Sequence, residues 1–481
     1  MKAGVSKKVI ELLMAMYKNI HCRVKLTGML SKEFLYSIGV RQGCVLSPLL
    51  FNLFINDIAE LLKKENCGIS IGDALIYILL YADDIVLVAD NEIDLQDMVD
   101  KLQTFCDQSM MKVNISKTQW MVFEQKPCIK TGNISLLFDG KLLEEVKVFK
   151  YLGVYFSQNL KFSDHVKFVL IKAEKAAHQF WKYINRLNCL KTSIIINLFH
   201  TLVVPVLLYC SEIWFPCISS TDIMHIENFY TKNIKRILGV PLSTANAAVY
   251  LELKLCSIST LVSINIFKFF ARLKSNELNK HLLSNLLSID CSWSKFCNKV
   301  LCDHNISVEY MNNNIIPADE IRQNFKEDML NQSKLMSSLV FFNKARKDEF
   351  IDKLDCIKYR TWRSALSRLR CGNFGLRIRN GAWIKEPKEL RTCRFCQSNT
   401  IEDEMHVLFG CHFFQNLRTK LLNDVQFATP AISWNSLDDL EKIKTMMENE
   451  QIVPMFAKFC YEIWKVLKNL NSPPILSPIT S

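Results

Sequence analysis

Apolar residues fall at helical spacing at the start of the chain. Val9, Leu12, Leu13 and Met16 share one face of a segment predicted as helix from Val5 to Tyr17. Strand-like residues follow at Cys22 to Leu26 and Phe34 to Val40, and then comes RQGCVLSPLLFNLFINDI, Arg41 to Ile58. Ser47 before Pro48 is a helix start, because serine can cap an orphan amide and proline fits the first helical turn. Leu49, Leu50, Leu53, Phe54, Ile58, Leu61 and Leu62 keep helical spacing to about Lys64, which leaves the entrance, Arg41 to Ser47, free for ligands. Two β-rich runs, Leu75 to Tyr81 and Ile85 to Ala89, flank Asp83 and Asp84 and put both carboxylates at a hairpin tip. An amphipathic helix, Asp94 to Met110, precedes NISKT (Asn114 to Thr118), and FKYLGVYF (Phe149 to Phe156) reads as a strand pair. From Asp164 to about Leu238 the pattern is helical and basic. Ser275 to Ser338 carries the weakest signal, with a linker expected around Tyr310 to Ala318. A second module begins near Phe341, and the proline- and serine-rich tail from Ser472 is expected to be disordered.

Composition narrows the class. With 481 residues, 49% hydrophobic and 22% charged, the chain can bury the cores of two or three domains. Eighteen irregularly spaced cysteines and no secretory leader predict a reducing, intracellular setting, in cytoplasm and nucleus, with few or no disulfides. The most apolar window, Ile194 to Ile218, is long enough to span a membrane but contains Asn197, His200, Pro205 and Glu212, so buried helices are expected instead. The formal charge is +12, and Lys344 to Arg394 alone carries fifteen Lys and Arg against six Asp and Glu, a net of +9. Such a concentration suits phosphate binding through counterion release, and equally a solvated helix face.

Two constellations carry chemistry. Adjacent aspartates between apolar strands repel each other and call for a cation, and aspartate oxygens suit magnesium in two-metal phosphoryl transfer. Turns also favour aspartate for structural reasons alone. The second constellation is Cys393-x2-Cys396, nine residues to His406, then four to Cys411. Three thiolates and an imidazole at this spacing can close a tetrahedral zinc site, or persist as a metal-free remnant. Trp362 and Trp383 lie in the basic run, where aromatic rings serve either base stacking or a core.

The order Gln-Gly before a Ser-Pro helix, Tyr-Ala-Asp-Asp, Asn-x-x-Lys-Thr, then Tyr-Leu-Gly closely resembles the palm of non-LTR (LINE-like) retrotransposon reverse transcriptases. RQGCVLSPLLFNLFINDI and YADD carry most of that likeness, and a cysteine-histidine motif after a basic run is a further similarity. The resemblance implies an α+β chain: a partial right-hand polymerase palm on a ferredoxin-like sheet (1–160), a helical thumb and connection (161–274), a poorly defined helical or linker region (275–340), a basic zinc-knuckle-like module (341–425), and a helical end with its tail (426–481). It also implies RNA-directed DNA synthesis with magnesium, using an RNA template, a DNA primer and deoxynucleotides. Asp83 and Asp84 would ligate magnesium and Tyr81 would pack beside the primer end. Arg41, Gln42 and Gly43 would lie against template and nucleotide. Lys117 would sit near departing pyrophosphate, and Tyr151, Leu152 and Gly153 match a primer-grip hairpin. For Lys117 a surface lysine, and for the grip an ordinary strand, remain alternatives. Zinc would be held by Cys393, Cys396, His406 and Cys411. The family carries a first catalytic Asp on a strand before the opening helix. Here four non-acidic residues precede that helix, so the expectation is a chain inactive in polymerisation. The alternative is a nucleic-acid-binding or host-adopted interaction protein that uses its carboxy module.

Overall fold

The computed structural model describes residues 4–471 apart from 37–38, 42, 64–66, 124–134, 188, 305–316 and 346–349. Gln42, most of the expected linker and the tail from Ser472 therefore lie outside the described residues. The chain divides into two compact units, Met1–Val148 and Phe149–Ser481.

The first unit mixes helices with short strands. Its core is made by Ile55, Ile58 and Leu62 of the helix Ser47–Lys63, by Met98, Val99, Leu102, Phe105 and Cys106 of the helix Glu92–Gln108, and by Trp120, Leu136, Phe138 and Leu143. Ile78, Leu80, Ile85 and Leu87, from the two strands around the aspartates, pack partly against it. Asn91 caps the second of these helices, its side chain accepting from the Asp94 amide at 2.9 Å. The opening helix, Lys7–Tyr17, forms as its periodicity predicts, yet none of its residues is buried. Val9, Leu12 and Met16 face solvent.

The expected ferredoxin-like sheet is not assembled among the described residues, where strands pair only two at a time. The strands of this unit are two to four residues long, too few to build a continuous ladder, so the helices hold the aspartate hairpin in place. Ser47 differs from expectation as well. It is the first residue of its helix, and its hydroxyl donates to the Arg41 carbonyl at 2.7 Å and meets the Tyr17 hydroxyl at 3.2 Å. The serine thus ties the entrance loop to the opening helix in place of capping.

The second unit is almost entirely helical around one continuous core. Fully buried Phe199, Trp214, Tyr230, Phe267, Phe342, Phe374, Phe414 and Phe456 come from segments far apart in sequence. The apolar window from Ile194 breaks into the helices Thr192–Leu202, Val204–Leu207 and Ser211–Trp214, with Pro205 in the first turn of the middle one. Among the described residues no single helix is long and apolar enough to cross a membrane, although two bent helix pairs reach that length and composition. The weakly patterned stretch contains the helices Glu277–Ser288, Ser292–Asp303 and Ala318–Leu335. Sparse buried residues, Leu283, Cys297, Val300, Leu301, Ile321 and Met329, hold them to the core.

Candidate metal centres and nucleic-acid interface

The strands Ile78–Tyr81 and Asp84–Leu87 pair antiparallel with Tyr81 opposite Asp84, which leaves Ala82 and Asp83 as a two-residue turn. Ala82 has a φ of 52°, the left-handed backbone that such tight hairpins favour. Asp83 therefore stands at the tip, Asp84 opens the return strand, and Tyr81, Asp83 and Asp84 are all exposed. Among the described residues no third metal-ligating side chain joins this pair.

Arg41 is held by the opening helix. Its guanidinium donates to the Met16 carbonyl and lies 5.5 Å from the centre of the Tyr17 ring. Gly43 has a φ of 82° with open space where a Cβ would sit, so its glycine requirement is one of backbone conformation. NISKT folds as a tight turn, in which the Asn114 carbonyl accepts from the Lys117 and Thr118 amides at 3.0 Å. Lys117 itself is exposed and makes no ion pair among the described residues.

In the second unit, Leu152 and Gly153 both have positive φ (45° and 89°), the twist-matched turn of a two-residue hairpin. Tyr209, which sequence reasoning missed, braces that turn. Its hydroxyl donates to the Leu152 carbonyl at 2.9 Å, and a Cβ on Gly153 would come within 3.0 Å of its ring. Fifty-seven positions separate the pair, and no local pattern signals the contact.

The cysteine-histidine cluster is assembled. The four ligand atoms of Cys393, Cys396, His406 and Cys411 all lie within 4.8 Å of one another. Cys393 Sγ is 3.8 Å from Cys411 Sγ, and Cys396 Sγ is 3.2 Å from His406 Nε2. A tetrahedral zinc with bonds of about 2.0 to 2.3 Å places its ligand atoms about 3.5 to 3.8 Å apart, so the donor set fits zinc with small adjustments. The Thr400 hydroxyl lies 3.0 Å from His406 Nδ1 and 3.3 Å from Nε2, against the edge of the ring. The Asp403 carboxylate accepts from the His406 amide at 2.8 Å, and a Cβ on Gly410 would crowd Nδ1 at 3.1 Å. Burial pushes the Cys393 and Cys411 thiols up. Burial also acts against the Cys396 thiolate, but hydrogen bonds from Ser398, Cys393 and His406 outweigh it and draw that thiol down.

Buried Glu402 is the anchor of this module and was not foreseen. It accepts from the Arg377 and Arg394 amides at 3.0 and 2.9 Å, and from the Arg394 guanidinium at 2.7 and 3.0 Å.

The basic run is divided in use, with Lys358, Lys385 and Lys388 exposed and many of its arginines turned inward. Much of it is internal scaffolding. Arg363 is buried and donates to Thr192 and to the Leu190 carbonyl, Arg368 donates to the Gly239 carbonyl, and Arg370 forms a buried ion pair with Glu252 at 2.6 Å. Arg377 pairs with Glu386, while Arg391 donates to the carbonyls of Ile378 and Glu386. Trp362 is half-buried beside Tyr359, ring centres 4.7 Å apart, whereas Trp383 is exposed.

The sequence comparisons agree with the motifs. Residues 3–156 match the family described as reverse transcriptase (RNA-dependent DNA polymerase). Over 147 residues the chain is 32% identical to the Transposon TX1 uncharacterized 149 kDa protein of Xenopus laevis, covering 30% of this chain and 11% of that protein. It is 23% identical over 296 residues to an RNA-directed DNA polymerase from mobile element jockey of Drosophila funebris, covering 58% and 31%. It is 27% identical over 206 residues to the Pol polyprotein of the type-2 retrotransposable element R2DM of Drosophila melanogaster, covering 41% and 19%. The chain spans between about a tenth and a third of the length of these relatives. Over this segment the chain is similar to reverse transcriptases, and the relatives it matches support one of the non-LTR, LINE-like kind.

Proposed function

We propose that this chain carries the metal-binding hairpin and nucleic-acid-contacting parts of an RNA-directed DNA polymerase, and that by itself it binds template and primer without extending the primer. The exposed Asp83–Asp84 pair at the tip of a two-residue hairpin carries the reading, supported by the order of the surrounding motifs and the family match over residues 3–156. Magnesium takes one or two protein carboxylates together with water and substrate phosphates, so two exposed aspartates are a fitting donor set. When bound there, magnesium would polarise the phosphates and activate the primer hydroxyl.

The chain's own residues anchor and position. Asp83 and Asp84 supply the carboxylate oxygens, and Tyr81 offers an exposed ring beside them. Arg41, Gln42 and Gly43 contact template and incoming nucleotide. Lys117 offers an ammonium to the leaving phosphate. Tyr151, Leu152 and Gly153, stiffened by Tyr209, hold the primer strand. The Cys393, Cys396, His406 and Cys411 donors hold zinc as a structural ion.

The proposed lack of extension rests on the pair standing without a third carboxylate among the described residues. Primer extension on an RNA template with magnesium, beside Asp83→Ala Asp84→Ala, tests it. The expected result is no product from either protein and equal template–primer binding by both. Product that the double variant abolishes would overturn the inactivity. Failure of both proteins to bind template–primer would overturn the whole reading.

A further inference from the structure

Of the eight tryptophans in this sequence, seven are buried or half-buried and one, Trp383, is exposed, at 58%. Tryptophan is a residue whose large apolar surface is normally covered, so a lone exposed ring on a fixed element needs an explanation. This one is fixed. Gly381, two residues earlier on the helix Arg377–Trp383, has no room for a Cβ, which would meet Glu386 Oε2 at 2.5 Å and Arg391 Cγ and Cδ at 2.9 Å. The Glu386 amide donates to the Gly381 carbonyl at 2.8 Å, and Arg391 clamps the Glu386 and Ile378 carbonyls from the other side of the loop. The segment after the helix is thus pinned back on it, and the ring at the helix end is left outward.

Cations and exposed apolar residues both flank the ring in sequence, Arg379, Lys385 and Lys388 on one hand and Ile384 and Leu390 on the other. The Arg379 guanidinium lies 5.7 Å from the centre of the Trp383 ring. Lys385 and Lys388 are exposed and make no ion pair among the described residues. Of the acidic groups, Glu386 is engaged by Arg377, half-buried Glu404 interacts electrostatically with Arg379, and Glu389 is exposed. Exposed Ile384 and Leu390 extend the apolar surface, and the cations beside it favour a ligand that offers both a π-face and negative charge, as a strand of unpaired nucleotides does.

We propose that Trp383 is a stacking platform for an unpaired base, with Arg379, Lys385 and Lys388 holding the flanking phosphates of single-stranded RNA or DNA. The proposal goes beyond the metal hairpin and does not depend on it. A base in a duplex has its faces already stacked, so the platform discriminates single strands from duplex through the ring, while the lysines serve both.

The test uses the full zinc-loaded chain and fluorescence anisotropy with a labelled fifteen-nucleotide poly-uridine strand and with a blunt duplex of equal length. Trp383→Ala is expected to weaken single-strand binding about ten-fold and leave duplex binding unchanged, with Trp383→Phe retaining most of the affinity. Single-strand affinity unchanged in Trp383→Ala, equal losses on single strand and duplex, or absence of single-strand binding by the unaltered chain would each overturn the platform.

Discussion

The two constellations proposed to bind metal are built in opposite ways. Asp83 and Asp84 stand at an exposed hairpin tip with no further ligand brought to them among the described residues. The four proposed zinc donors already lie within 4.8 Å of one another, two of them buried, with Thr400, Asp403 and Gly410 set against the histidine. An open carboxylate pair suits an ion that arrives with substrate and keeps its waters, and a closed thiolate set suits an ion that stays. The contrast extends to the units that carry them. Several arginines of the carboxy unit are spent on internal partners, whereas the aspartates of the hairpin face solvent.

The largest expected effect breaks this contrast at its closed end. A structural zinc contributes on the order of 10 kcal/mol to its module, so stripping it with a chelator, or Cys411→Ser, is expected to unfold the segment around the four donors. Limited proteolysis would show new cleavage between about Arg377 and Arg418, with the hairpin unit untouched. Next is the buried pair of Arg370 and Glu252. Glu252→Gln leaves the guanidinium without its counter-charge and is expected to cost about 3 to 5 kcal/mol, read from denaturant unfolding, and Arg370→Lys retains only part of the stability.

A pH effect of similar kind sits at His165. Burial, with a smaller contribution from Lys172, lowers its pKa to about 4, and its Nε2 is buried without a partner. The folded state favours the neutral ring, so its stability is full above the ordinary histidine value and is lost as pH falls from about 6.5 toward 4. The loss is about 3 kcal/mol at most, and it should vanish from the unfolding-versus-pH curve of His165→Asn. The smallest effect belongs to the open site. Asp83→Ala and Asp84→Ala remove exposed groups and are expected to change unfolding stability by no more than about 0.5 kcal/mol.

Much of this was legible in the sequence. Apolar runs on both sides of Asp83 and Asp84 specify a hairpin because alternating strand positions pack on the helices beneath. The spacing of Cys393, Cys396, His406 and Cys411 specifies a cluster because each donor pair lies on a short turn. The fate of the basic run was hidden, since a count of arginines says nothing of where acceptors lie. The Arg370 partner is 118 positions away and the acceptors of Arg363 more than 170. Ser47 misled for a related reason. A serine before proline can cap, but here the Arg41 carbonyl and Tyr17 hydroxyl, set by the folded loop, occupy its side chain. The apolar face of the opening helix was legible as a face, whereas its exposure depends on what packs on it, which spacing cannot show.

Metal analysis of the purified chain after exhaustive dialysis against metal-free buffer tests the central contrast most directly. One zinc per chain, abolished in Cys393→Ser and unaffected in Asp83→Ala Asp84→Ala, with no retained magnesium or manganese, is the expected result. A chain that emerges without zinc, or one that keeps a divalent ion dependent on Asp83 and Asp84, would contradict the assignment of a closed resident site and an open one.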